Sequence, residues 1–329
     1  MISRVADHCF WFGRYLDRTE SSARLLQATR TLVFDADIPV TQCWAPLVIV
    51  SGEQERFAEH HSEAALGNGE IVQEYLTWSA ESPVSLRSSA RAARDCARGI
   101  RDQLSLDVWE EINELFHWLE RDQSLALYRD NREEFYRSVR RTTQLTLGLV
   151  RSTMLHEEPM GFLWTGVMLE RAGQVGRILD MHHHTMQREH GHDIVQVALW
   201  MSLLRACSGA EAFMKASRGR VTAPSMLEFL LFSAEFPRSL RYCLRSAHAS
   251  LRRVWSAKND DPKLHASIAR LNALLDWLDA RAGSLDLARI HGLLTHVVDE
   301  TARVCNDVGQ EIHGPERPLS VLPPAPAPQ

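Results

Sequence analysis

The stretch EYLTWSAESPVSLR, at residues 74–87, returns 154 positions later as EFLLFSAEFPRSLR, at residues 228–241. Nine of the fourteen residues are identical, and Tyr75 and Trp78 are both replaced by phenylalanine, which keeps an aromatic ring at each position. A match of this quality indicates an internal repeat. Because solenoid repeats have much shorter periods, the spacing favours duplication of a domain-sized unit.

Further matches follow in the same order. FGRYLDRTESSARLL (12–26) pairs with TGVMLERAGQVGRIL (165–179) at an offset of 153, and INELFHWLE (112–120) pairs with LNALLDWLD (271–279) at an offset of 159. A slowly increasing offset is what small loop insertions produce. The whole chain is therefore predicted to consist of two copies of one unit.

Both copies have the pattern of amphipathic helices, with apolar residues at steps of three and four and with glycine and proline mainly between segments. The predicted helices lie near residues 2–30, 44–65, 69–80, 84–104, 107–121 and 131–155, and then near 160–188, 194–217, 224–234, 238–256, 262–281 and 285–312. Ser82–Pro83 and Phe236–Pro237 predict the same break in each copy, because proline suits the first turn of a helix but not its interior.

We therefore expect an all-α fold of two tandem, pseudo-symmetric helical-bundle repeats packed into one compact body. The first repeat is predicted at residues 1–155 and the second at residues 156–315. The proline-rich segment at residues 316–329 is expected to be a disordered tail.

Composition and charge argue against several classes of protein. The 329 residues carry a net charge of -5, which gives no basic footprint for nucleic acid. No apolar run reaches the length of a membrane helix, and the first residues lack the apolar segment of a signal peptide. The six cysteines are far apart and form no C-x-x-C pair, which favours reduced thiols and a cytoplasmic location.

The first predicted helix places five charged residues on one side at about 100° per residue. They are Arg14, Asp17, Arg18, Glu20 and Arg24. One interpretation is a solvated face with pairs such as Arg14–Asp17 and Glu20–Arg24. Alternatively the face is covered, since Phe10 lies among the charges, and its arginines either dock the two copies or receive an anionic ligand.

These residues carry a resemblance to a known family. MISRVADHCFWFGRYLDRTESSARLL (1–26) resembles the opening of the bacterial alpha-E domain family, and similar segments follow in order at residues 82–113, 162–184, 203–213 and 235–244. The residues predicted to bind a ligand or partner are Arg14, Asp17, Arg18, Glu20, Arg24, Arg94, Arg98, Glu170, Arg171, Arg177 and Asp180. All of them match the family pattern except Asp17, which stands where the family usually has glutamate. Val167 and Gly173 also depart from the pattern, since they replace an expected arginine and an expected acid.

The resemblance implies a partner role. Members of this family are typically encoded beside circularly permuted ATP-grasp ligases and transglutaminase-like peptidases. It therefore implies an accessory or binding protein of a peptide ligase or protein-modification system, with an ATP-grasp ligase and a transglutaminase-like protein as partners and no cofactor.

Two features keep an enzyme as the alternative. The run MHHHTMQREHGHD, at residues 181–193, is interpreted as a polar, histidine-rich helix end, which the negative end of the helix dipole favours. The alternative interpretation is metal binding, with His183 and His190 as the candidate ligands for a metal-dependent reaction on a peptide or amino-acid derivative. Cys96 and Cys243 lie among arginines, which could lower a thiol pKa, although a buried cysteine that acts as a small apolar residue is the commoner case.

Overall fold

The computed structural model describes residues 2–35, 40–188, 193–218, 221–257 and 265–313. Within these residues the chain is helical and has no β-strand. None of the helices in these ranges is long and apolar enough to cross a membrane. The predicted tail at residues 316–329 lies outside the described residues.

The helices of the first half are α1 (Ser3–Asp35), α2 (Val40–Val50), α3 (Gln54–His60), α4 (Gly69–Trp78), α5 (Leu86–Gly99), α6 (Leu106–Leu119), α7 (Asp122–Asp130) and α8 (Arg132–Thr153). The helices of the second half are α9 (Glu158–Arg188), α10 (Asp193–Ala206), α11 (Ala210–Ala216), α12 (Ala223–Phe232), α13 (Leu240–Ala257), α14 (Ala266–Asp279) and α15 (Ile290–His313). Short 3-10 turns lie at Glu63–Gly67, Arg101–Gln103 and Leu287–Arg289.

The long helices α1 and α9 form the centre of the molecule and pack against each other. Helix α1 is covered by α5 and α8, and helix α9 is covered by α13 and α15. The two halves also exchange contacts, because α10 packs on α1 and α2 packs on α9. The charged side of α1 is therefore buried, and its interpretation as a solvated face is wrong.

Several predicted helix bounds are also wrong. The predicted helix 44–65 ends near Gly52, whose φ of 73° is in the left-handed region that glycine adopts at little cost. The predicted helix 194–217 breaks at Ser208, with a φ of 55°. The predicted helix 84–104 gives way to a 3-10 turn after Gly99, and α7 was not predicted at all.

The stretch that repeats in the sequence forms the same turn twice. After α4, the Ser85 hydroxyl donates to the Ser79 carbonyl at 2.8 Å, and after α12 the Ser239 hydroxyl donates to the Ser233 carbonyl at 2.5 Å. Each of these hydroxyls also accepts from a backbone N–H in the first turn of the next helix, as an N-cap does. The predicted break before each helix is therefore confirmed in both halves.

Candidate functional site

Helices α1 and α9 touch at two glycines. A Cβ on Gly13 would lie 2.0 Å from the Leu163 carbonyl oxygen, and a Cβ on Gly166 would lie 2.1 Å from the Phe10 carbonyl oxygen. The backbones can approach this closely only because glycine has no side chain. The two glycines therefore fix where the long helices meet.

About one turn beyond each glycine, the helices exchange ion pairs. Arg18 of α1 donates from Nε and Nη2 to the two oxygens of Glu170 on α9, at 2.6 and 2.8 Å. Arg171 of α9 donates from Nη2 and Nε to Asp17 Oδ1 on α1, at 2.7 and 3.1 Å. All four side chains are buried. We call these four residues the crossing.

The crossing is almost fully hydrogen-bonded. Both Glu170 oxygens accept from Arg18, and further donors are Arg14 Nε at 2.9 Å and Gln174 Nε2 at 3.4 Å. Arg171 also donates from Nη1 to the Pro237 carbonyl at 3.4 Å. Buried arginine–carboxylate pairs of this geometry hold two helices in one register, since removal of either partner leaves an uncompensated charge.

Glu170 stays ionised in this setting. Burial by itself raises its pKa, but the charges of Arg18 and Arg14 and the hydrogen bond from Arg18 outweigh burial and hold the pKa well below the usual range of a glutamic acid. Glu170 is therefore a fixed counterion and is unsuited to act as a general acid near neutral pH.

Beside the crossing lie arginines with unused donors. Arg14 contacts Glu170 through Nε alone, and its guanidinium lies over the Trp11 ring at 4.7 Å. Arg177 is half-buried; its Nε has no hydrogen-bond partner, and within the described part of the chain its guanidinium has no ion pair. We call Arg14, Arg18 and Arg177, with Glu170 among them, the Glu170 cluster.

Among the described residues Arg177 has no ion pair, and a glycine occupies the position one turn earlier on α9. On α1, Arg24 pairs with Glu20 one turn earlier. On α9, the residue one turn before Arg177 is Gly173, and a Cβ there would lie 3.7 Å from the Arg177 Nη atoms. Burial lowers the pKa of Arg177, Glu170 opposes that shift, and Arg18 and Arg14 lower the pKa further, with a net decrease. The site therefore has more positive charge than Glu170 neutralises.

Other predicted residues lie at different places. Glu20 and Arg24 form their predicted pair, whereas the predicted Arg14–Asp17 pair is wrong because both residues bind α9 instead. Asp180 accepts from His291 of α15 at 2.6 Å.

The structure does not bring Arg94 and Arg98 to the crossing. Arg94 donates to Asn113 of α6 at 3.2 Å and lies over the Phe116 ring, and Arg98 is an exposed residue at 3.5 Å from Asp95. Their polar contacts are thus with α5 and α6, not with α1 or α9.

Sequence reasoning missed Arg140 and Arg238. Arg238 donates from Nη2 to Glu20 Oε2 at 2.7 Å, and Arg140 of α8 lies close enough to influence Arg24. A signal for Arg238 was present, because it occupies the place of Val84 in the repeated stretch.

The structure gives no support to a reactive thiol at the two cysteines considered. Burial raises the pKa of Cys96, and Asp7 and Asp95 raise it further; burial raises the pKa of Cys243 to about 12 despite the charge of Arg171. Arginines do lower the pKa of Cys243, but burial outweighs them, so the prediction of a net decrease is wrong. A thiolate is the nucleophilic form, so both groups are poor nucleophiles near neutral pH.

The metal hypothesis lies outside what the structure describes. The side chains of His183 and His190 are not among the described residues. Among those that are, no group of three or more histidine, cysteine, aspartate or glutamate side chains is arranged to hold a metal ion.

Residues 1–313 match the model of the Alpha-E family, described as a predicted alpha-helical domain with a conserved ER motif. The chain belongs to this family, and the expectation from the sequence is confirmed. Of the Glu-Arg dipeptides within the described residues, Glu170–Arg171 is the pair with both side chains buried.

Similar proteins include an uncharacterized protein of Mycobacterium bovis, 28% identical over 273 residues, and an uncharacterized protein of Mycobacterium tuberculosis, 27% identical over 273 residues. Each match covers 76% of this chain and 29% of the relative, so the chain spans less than a third of the length of these proteins. No solved structure matches this chain.

Proposed function

We propose that this chain is an accessory, binding protein of an ATP-grasp-type peptide ligase or protein-modification system, and that it recognises an acidic group of its partner or peptide through the Glu170 cluster. The observation that carries the proposal is Arg177, a half-buried arginine without an ion pair in the described structure, next to Arg14 and Arg18. A cytoplasmic location is part of the proposal. The free cysteines are consistent with it.

The charge balance favours a binding role. Three arginines share Glu170, and this carboxylate already accepts hydrogen bonds at both oxygens. A buried cation without a partner is unfavourable, so a fold that needed only stability would neutralise it. A carboxylate from another molecule can complete the coordination, because arginine binds it through two parallel hydrogen bonds.

We further infer that the fold consists of two copies of one unit around a pseudo-twofold axis. Three observations support this inference: the identical capping turns at Ser85 and Ser239, the reciprocal glycine contacts, and the reciprocal ion pairs of the crossing. At the crossing, residues that lie 153 positions apart in the sequence make equivalent contacts, each with the opposite long helix. On this basis Glu170–Arg171 is the ER motif, and Asp17–Arg18 is its counterpart in the first copy.

The partner class rests on the family resemblance and needs a direct test. Wild-type protein is compared in pull-downs from native cell extract with Gly173→Glu, which places a carboxylate one turn before Arg177. Residue 173 has room for a Cβ, so this variant should fold. Arg98→Gln is the matched control, because it removes an exposed arginine that lies outside the Glu170 cluster and pairs with Asp95 of its own helix.

We expect wild type and Arg98→Gln to capture an ATP-grasp or transglutaminase-like protein, identified by mass spectrometry, and Gly173→Glu to lose it. Capture by all three proteins would contradict the proposed site. Absence of such a partner from the wild-type sample would contradict the proposed role. Arg177→Gln serves as a second variant that removes the cation itself.

The alternative function is a metal-dependent enzyme acting on a peptide or amino-acid derivative. The histidine-rich run at residues 181–193 is the observation that favours it. This alternative requires about one metal ion per chain in the purified protein, measured by elemental analysis, and loss of that metal when His183 and His190 are replaced together. A metal-free, correctly folded preparation that takes up no added zinc or manganese would end it.

A further inference from the structure

A second group of three arginines lies near Glu20: Arg24 and Arg238 donate to Glu20, and Arg140 lies close enough to influence both of these arginines. Arg24 comes from α1, Arg140 from α8, and Arg238 from the turn that precedes α13. The group is therefore assembled from three separate segments of the chain. We call Arg24, Arg140, Arg238 and Glu20 the Glu20 cluster.

Glu20 is the one acidic member of this cluster. Its Oε2 accepts from Arg238 Nη2 at 2.7 Å, and its Oε1 accepts from Arg24 Nη2 and from Gln144 Nε2, the latter at 3.1 Å. Three arginines and one glutamate leave a formal excess of two positive charges.

Two further acids, Asp17 and Glu133, influence these arginines and compensate this excess only in part. Asp17 is already paired with Arg171 at 2.7 Å. Arg140 Nη1 donates to Gln27, and Gln27 in turn donates to Glu133. Glu133 is itself 43% exposed and lies 3.7 Å from Arg137. Its charge is therefore shared with a fourth arginine and is screened by solvent.

Two donors of the cluster are buried without an acceptor. They are Arg24 Nε and Arg140 Nε. Arg24 is 5% exposed, so water does not readily replace the missing acceptor. A buried donor without a partner costs free energy, and such a group calls for an explanation, a ligand being one.

The arginines also repel one another. Burial lowers the pKa of Arg24, and the positive charges of Arg238 and Arg140 lower it further, against the opposing charge of Asp17. Burial likewise lowers the pKa of Arg140, with Arg238 next among the causes. An anion placed among the three guanidinium groups would relieve this repulsion.

The cluster can be reached from solvent. Arg140 and Arg238 are half-buried, and Gln144 on α8 is exposed, whereas Arg24 and Glu20 are buried beneath them. This arrangement has a buried base, a half-buried rim and an exposed edge.

We propose that the Glu20 cluster binds a phosphate group, with Arg24 at the base of the site and Arg140 and Arg238 at its rim. A phosphate monoester carries about -1.5 to -2 charge near neutral pH, which matches the excess of two positive charges. Its tetrahedral oxygens accept hydrogen bonds from several directions, as three guanidinium groups from separate segments can donate them. A planar carboxylate, by contrast, can be bound by a single arginine through two parallel hydrogen bonds and does not need three guanidinium groups.

This site is independent of the partner proposed for the Glu170 cluster. The two clusters share no residue, although Asp17 of the crossing also influences Arg24. Loss of partner capture in Gly173→Glu with phosphate binding intact would concern the Glu170 cluster alone.

Isothermal titration calorimetry at constant ionic strength tests the proposal with inorganic phosphate, phenyl phosphate and acetate as probes. We expect saturable binding of phosphate at one site per chain and about tenfold or greater weakening in Arg140→Gln, since each tenfold corresponds to about one charge-assisted hydrogen bond. The matched control is Arg141→Gln, on the same helix, which removes an arginine that is 72% exposed and lies 3.9 Å from Glu134, and which should bind as wild type does.

The probes distinguish the sources of the phosphate group. Equal affinity for inorganic phosphate and phenyl phosphate would support a site for free phosphate, and tighter binding of phenyl phosphate would support a site for a phosphorylated molecule. No saturable binding of either, or acetate binding as tightly as phosphate, would overturn the proposal. Equal affinities in Arg141→Gln and Arg140→Gln would also overturn it. If Arg140→Gln does not fold, Arg238→Gln takes its place.

Discussion

Replacement of Gly13 or Gly166 by alanine should force α1 and α9 apart. The new Cβ would lie 2.0 Å from the Leu163 carbonyl oxygen or 2.1 Å from the Phe10 carbonyl oxygen, more than 1 Å closer than an ordinary contact of 3.4 Å or more. Backbone atoms cannot rotate away as a side chain can. The helices must therefore shift, and the ion pairs at 2.6–2.8 Å in the crossing must lengthen.

Overpacking of this kind costs about 3 kcal/mol, and alanine returns about 1 kcal/mol through its higher helix propensity. We therefore expect each variant to lose about 2 kcal/mol of unfolding free energy. With an unfolding entropy of about 2.1 cal/mol/K per residue, this loss corresponds to a decrease in Tm of about 3 °C for a chain of this length.

Gly148→Ala is the matched control. Gly148 lies inside α8, and a Cβ there would meet no atom within 4 Å. This variant should gain about 1 kcal/mol from helix propensity alone. The unfolding free energy of all three variants is measured by urea unfolding, followed by circular dichroism. If Gly13→Ala or Gly166→Ala is as stable as Gly148→Ala, the close approach of the two helices is not as described.

Three further predictions concern stability and reactivity. Glu170→Gln should lose about 3 kcal/mol at pH 7 in urea unfolding. The stabilisation that Glu170 gives the wild-type protein is fully present above its ordinary pKa of about 4.3 and is lost as the pH falls towards its depressed folded-state pKa. The variant should therefore lose less unfolding free energy than wild type between pH 5 and pH 3. If the unfolding free energy of both proteins falls equally with pH, the pKa argument is contradicted. Ser85→Ala and Ser239→Ala should each cost about 1 kcal/mol, since each removes the same cap, and a cost at one position alone would contradict the equivalence of the turns. Cys96 and Cys243 should react with iodoacetamide at pH 7 far more slowly in the folded than in the urea-unfolded protein, and equal rates would contradict their raised pKa values.

The sequence predicted the helical class and the position of α9 well, because long amphipathic segments bounded by proline and glycine have a clear period. It failed at short interruptions. Pro46 lies inside α2, and residues 44–65 were predicted as one helix although the chain turns at Gly52. Helix α7 was missed between α6 and α8. Such breaks depend on single backbone conformations, which periodicity does not detect.

The site was predicted only in part for a related reason. Arg14, Asp17 and Arg18 were identified on one side of α1, but their partners depend on how α9 crosses α1, which helix periodicity does not specify. The intrahelical pair Arg14–Asp17 was therefore predicted where cross-helix pairs form. Arg238 was missed although the repeated stretch contained a signal, namely an arginine where the first copy has Val84.

Positions at which the two halves differ contribute most to the candidate sites. Arg14 occupies the place of Val167, and Glu20 occupies the place of Gly173. The first difference adds a guanidinium to the Glu170 cluster. The second gives Arg24 a counterion and leaves Arg177 without one. The residues shared by the halves form the crossing, and the residues that differ produce its unbalanced charges.

The unfolding free energy of Arg177→Gln tests the central claim most directly. If Arg177 is retained to bind an acidic group rather than to hold the fold, its removal relieves repulsion with Arg14 and Arg18, and its folded-state pKa is already lowered. The account predicts that Arg177→Gln is at least as stable as wild type in urea unfolding without ligand, whereas Arg171→Gln, which breaks the crossing, loses about 3 kcal/mol. A loss in Arg177→Gln as large as that in Arg171→Gln would contradict the account.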